Sequence, residues 1–157
     1  MEQLVNQEQP DNTPYENIYV VVFENESGRG MTVVNFAAQQ YLDAFTHHGP
    51  WLKILREALP DQNFIEAWQF NKAKDAIVVN PVWLQEIHVA VAERARNHRV
   101  WLVQNELTAL QTDFMLGIID DESTTRLITL KKYVIALKQL DVSTAPDVIW
   151  PELSHVA

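Results

Sequence analysis

Five histidines, twenty-one carboxylates and one glycine-rich turn are the groups in this 157-residue chain whose types could do chemistry. His47 and His48 are adjacent, so on a helix their side chains diverge by about 100°. No His-x-x-x-His pair or His-Glu-x-x-His motif accompanies them to hold a metal. His88 and His98 stand ten residues apart, too far to share a small ion. Ser27-Gly28-Arg29-Gly30 resembles a phosphate loop but lacks the Lys-Ser/Thr ending and the strand-to-helix setting, so it reads as a hairpin turn. There is no Gly-x-Ser-x-Gly elbow, and the absence of cysteine excludes thiolate nucleophiles, disulfides and cysteine metal sites. The chemistry expected is therefore binding, not catalysis, with no catalytic residue, no metal and no cofactor.

The formal charge of -9 bears on the partner. Affinity for phosphate backbones and anionic lipid comes from Lys and Arg, so neither nucleic acid nor a membrane surface is the expected ligand. Arg94, Arg96, Arg99 and His98 form the one basic cluster, but Glu86, Glu93 and Glu106 share the same segment, which reads as a solvated helix face. A nucleotide- or nucleic-acid-dependent enzyme would rest on that cluster and the glycine turn alone. No apolar run approaches the roughly 18 residues of a membrane span. Met1 to Asn17 lacks the basic start and apolar core of a secretory signal, and a bacterial cytoplasm is the expected compartment.

The elements that must carry any binding surface divide the chain. With 47% hydrophobic and 21% charged residues the composition is that of a folded globular protein. Residues 1–17 are polar and proline-broken, which predicts a flexible leader. Residues 18–80 predict a small α+β lobe with antiparallel strands. Ile18 to Phe23 and Met31 to Val34 flank the glycine turn as a hairpin, and helices are expected over 36–45 and 51–59. Two further strands are expected, from Phe64 to Phe70 and from Ala76 to Val79.

Residues 81–141 predict an antiparallel helical hairpin. No Pro or Gly interrupts the stretch after Pro81 until Gly117, and Val100, Val103, Leu107, Leu110 and Phe114 alternate at spacings of three and four. A second stripe, Leu84, Ile87, Val91, Ala95, His98 and Leu102, is offset from the first. Asp120-Asp121-Glu122 supplies a cap for a following helix that carries Leu127, Leu130, Val134 and Leu137. Residues 142–157, with Pro146 and Pro151, predict an extended C-terminal arm.

The C-terminal segment is the most specific part of the sequence. Lys131-Lys132-Tyr133, Leu137, Asp141, Ser143-Thr144-Ala145-Pro146-Asp147 and Trp150-Pro151 resemble, in order and spacing, the C-terminal region of tail fibre assembly proteins of tailed bacteriophages and prophages. The resemblance covers the last third of the chain; Leu130 and Val142 depart from it, where Trp and Thr are usual. It implies a chaperone that binds the distal region of a trimeric, receptor-binding tail fibre and assists its folding, trimerisation or attachment. The alternative is a virion component that stays bound at the fibre tip. The residues implied at the partner are Tyr133, Pro146, Asp147, Trp150 and Pro151. A rigid Trp150 suits an anchor in a partner. The same side chain also suits an arm that folds back on its own hairpin, with Trp150 near Tyr133.

Overall fold

A computed structural model describes residues 18–153. The expected leader, and the last four residues of the expected arm, lie outside them. The fold is α+β, and the chain divides into two compact units, Met1–Asn80 and Pro81–Ala157.

The first unit is built on strand β1 (Tyr19–Glu24), which pairs antiparallel with β2 (Met31–Val34) on one edge and β3 (Trp51–Leu55) on the other. A central strand with both edges occupied reads as a continuous apolar run, and Val20, Val21 and Val22 are all fully buried. Alternation assigns Val20 and Val22 to a core with Met31, Trp68, Phe70 and Ile77. Phe23 faces the other way and stacks on His47 at 4.2 Å between ring centroids. A short hairpin of β4 (Trp68–Phe70) and β5 (Ile77–Val79) supplies the far side of that core.

Two expected helices are not formed as drawn. Between Phe36 and Phe45 only α1 (Gln39–Asp43) is helical, and Ala38 offers no capping side chain. Phe36 and Phe45 instead meet edge-to-face at 5.6 Å. Residues 51–59 were expected to be helical, yet Trp51–Leu55 is β3, followed by a single 3-10 turn at Arg56–Ala58. The open edge of β1 decides this, since it offers five backbone partners in register, from Tyr19 opposite Leu55 to Phe23 opposite Trp51. Likewise Gln62–Ala67 forms a 3-10 segment capped by Asp61, so the strand expected from Phe64 starts only at Trp68.

The second unit is a helical hairpin. Helix α2 runs from Pro81 to Leu116, 36 residues and so about 54 Å. It ends where Gly117 adopts φ +71°, with the Ile118 N–H bonded to the Asp113 carbonyl at 3.0 Å and the Gly117 N–H to that of Phe114 at 3.1 Å. Helix α3 (Asp121–Gln139) starts on Asp120, whose carboxylate accepts from the Ser123 N–H at 2.7 Å. Val103 and Leu107 of α2 pack with Leu127, Leu130 and Val134 of α3. Arg126 spans the pair, its Nε donating to Glu106 at 2.6 Å and Nη2 at 2.9 Å.

The second predicted stripe of α2 is not the packed one: Val91 and Leu102 remain 50% and 60% exposed. The packed line instead continues upward from Val103 through the half-buried Arg99 and Arg96, the buried Ala92 and the half-buried Val89 to Gln85, at the same alternation of three and four.

Candidate partner-binding surface

After Leu140 the chain turns back along the upper half of α2. Val142 and Ala145 are buried with Ala92, and Val89, Leu140, Val148 and Trp150 pack around them. Polar side chains from α2 hold the returning backbone. Gln85 Nε2 donates to the carbonyls of Ser143 at 2.8 Å and Ala145 at 2.9 Å, and Arg96 Nη1 donates to that of Leu140 at 3.4 Å. The Ala145 and Leu140 carbonyls are partly removed from water, so the polar members of the stripe hold the returning backbone alongside its apolar ones.

The segment is bent as well as anchored. The Ser143 N–H donates to Asp141 Oδ1 at 2.9 Å, and this backbone bond holds the Asp141 carboxyl below its usual range. The Ala145 N–H then bonds to the Val142 carbonyl at 3.1 Å and the Asp147 N–H to that of Thr144 at 3.1 Å, with a cis peptide at Ala145-Pro146. The expected extended arm is therefore irregular, with a turn over 143–147.

The five residues singled out by sequence separate into holders and edges. Trp150 is half-buried, and its ring receives the Arg99 guanidinium at 3.9 Å from the centroid. Tyr133 is half-buried in the other cluster, around Leu107 and Leu130, which Leu153 also joins. Trp150 and Tyr133 thus belong to separate clusters, and Trp150 packs beside Ala92 and Arg99. Pro151 is half-buried, whereas Pro146 and Asp147 are exposed and Ile149 is 89% exposed.

Sequence reasoning missed Gln85, Arg96 and Arg99. Two of the arginines read as a solvated face reach the returning segment instead. The signal available was their position: each falls on the same three-and-four spacing as Ala92 and Val103. Among the described residues no group of three His, Cys, Asp or Glu is arranged to hold a metal ion, and no helix is long and apolar enough to cross a membrane.

Comparison with known proteins extends the resemblance well beyond the C-terminal third. The chain is 30% identical over 127 residues to Protein TfaD of Escherichia coli (strain K12), covering 80% of this chain and 64% of that protein. It is 35% identical over 68 residues to Putative protein TfaS of the same strain, covering 43% of this chain and 60% of the relative. The chain thus spans less than two thirds of the length of these curated relatives. No solved structure matches it. The family model described as "Caudovirales tail fibre assembly protein, lambda gpK" matches residues 32–155, which takes in most of β2, all of β3 to β5, both helices of the hairpin and the returning segment, and the chain belongs to that family.

Proposed function

We propose that this protein assists the assembly of a phage or prophage tail fibre by binding the fibre's distal region and covering its interfaces until three chains register. The family match over residues 32–155 carries the reading. A β-rich trimer under assembly exposes strand edges and apolar interfaces, and a helper needs only surface to shield them, with no catalytic group or energy source. The exposed apolar side chains of the hairpin, among them Met115 at 84% and Ile118 at 69%, are surface of that kind. The edge of the returning segment, Pro146, Asp147 and Ile149, is a second contact in this reading. Trp150 and Tyr133 act from behind by fixing its course, and Pro151 follows Trp150.

Co-expression with the cognate fibre is the test. The fibre's distal part should appear as a soluble trimer in the presence of this chain and as aggregate in its absence; equal yields of soluble trimer would sink the proposal. Finished particles freed of this chain are expected, and its retention at stoichiometric amounts would make it a component of the fibre tip instead.

A further inference from the structure

The closed end of the hairpin carries a groove that the hairpin's own core does not fill. Phe114 and Met115 of α2 and Leu127, Ile128 and Ile135 of α3 line a cavity of about 500 Å³. Leu127 is buried, but Phe114 is 58%, Ile128 50% and Ile135 51% exposed. Phe114 lies on the same stripe as Leu107 and Leu110, so the repeat that packs α2 on α3 runs on into open surface. Ile128 and Ile135 are two turns apart on one side of α3, about 10 Å along the axis.

The rim distinguishes this groove from an ordinary exposed apolar patch. Lys131 and Lys132 line it, no acidic residue does, and neither lysine has a carboxylate in ion-pair range among the described residues. On a chain of net charge -9 this is a locally positive margin around an apolar floor. A partner that satisfies both parts carries apolar side chains for the floor and carboxylates for the margin. A second copy satisfies them poorly. Two such acidic chains repel, and a two-fold pair seated groove on groove would bring lysine against lysine.

We infer that this groove takes an apolar segment of the tail fibre flanked by Asp or Glu. The inference rests on the proposed role in fibre assembly and names a surface for it. The apolar floor would supply affinity, and the two lysines would choose the segment and its direction.

The test compares binding of the cognate fibre's distal fragment by the wild-type chain, by Lys131→Glu/Lys132→Glu and by Ile128→Asn, at low and high salt. All three positions are exposed, so the fold should survive, and circular dichroism checks that it does. The charge reversal should weaken binding about tenfold at low salt and reverse its salt dependence, so that added salt no longer weakens binding. Ile128→Asn should weaken binding at both salt concentrations. Unchanged affinity in both folded variants overturns the groove while leaving the role in fibre assembly standing. No fibre binding by the wild-type chain overturns both. A wild-type dimer that the charge reversal converts to monomer gives the groove to a second copy and overturns the inference.

Discussion

Arg99 over Trp150 is one contact in which a charge and an aromatic ring fix the path of the chain end. The guanidinium lies 3.9 Å from the ring centroid, and a half-buried cation–π pair contributes about 1 kcal/mol. Trp150→Ala also removes packing around Ala92, Val142 and Ala145, so a total loss of about 2 kcal/mol is expected. A double-mutant cycle with Arg99→Met, read by chemical denaturation, should return a coupling of about 1 kcal/mol. Additive single effects would show that the ring contributes through area alone. The glycines of the first hairpin offer a second comparison. Gly28 and Gly30 have φ of +71° and +76°, but a Cβ at Gly28 meets nothing within 4 Å, whereas at Gly30 it would stand 2.8 Å from the Glu66 Cα. Gly28→Ala should therefore cost about 1 kcal/mol of strain. Gly30→Ala should cost clearly more, because backbone atoms cannot step aside.

At the scale of elements helix α3 depends on a cap that titrates, and so does the turn after it. The Ser123 N–H holds the Asp120 carboxyl below its usual value of 3.8, and the Ser143 N–H does the same for Asp141. A carboxyl whose folded pKa is depressed stabilises the fold fully above the ordinary value and loses that contribution as pH falls through the lowered one. The melting temperature of the wild-type chain should thus drop more steeply below about pH 4 than that of Asp120→Ala, which begins lower but has no such cap to lose. The hairpin interface is less forgiving. Leu107 is 3% exposed against α3, so Leu107→Asp buries an unpaired carboxylate at a cost of about 3 kcal/mol or more. Circular dichroism should show the loss of most helical signal. These two helices were legible in the sequence because α2 has no internal breaker and because Val103, Leu107, Leu130 and Leu137 obey one period. The upper half of α2 was not legible. Its packed line contains Gln85, Arg96 and Arg99, which hydropathy counts as surface, while Val91 and Leu102 are apolar and remain outside. In the first unit Trp51 to Leu55 also defeated the local pattern, since only the unfilled edge of β1 makes that segment a strand. Of the candidate site, the motif from Tyr133 to Pro151 was legible, but its division into holders and edges was not. That division depends on residues of α2 some 40 to 60 positions away in sequence.

The whole molecule combines exposed apolar surface with net charge of one sign. Phe114, Met115, Leu116 and Ile118 cluster in sequence at the hairpin turn, all more than half exposed, and such a cluster favours association. The net charge of -9 opposes it by repulsion between copies, which keeps binding surface available without aggregation. Repulsion fades as pH approaches the isoelectric point of about 4.9 expected from the composition, while the backbone bonds to the Asp120 and Asp141 carboxylates are lost only below their usual value of 3.8. Near pH 4.9, above the range in which those carboxyls are protonated, the chain should be folded and nearly uncharged. Light scattering is therefore expected to rise as pH falls from 7 toward 4.9 with the helical circular dichroism intact, and to reverse on return to pH 7. Met115→Glu places a charge on a side chain that is 84% exposed, and it should lower the pH at which scattering begins without changing the fold. Identical onsets in the two proteins would mean that association runs through some surface other than the hairpin turn. Loss of helical signal together with the scattering would mean that unfolding, and not the fading of charge, exposes the associating groups.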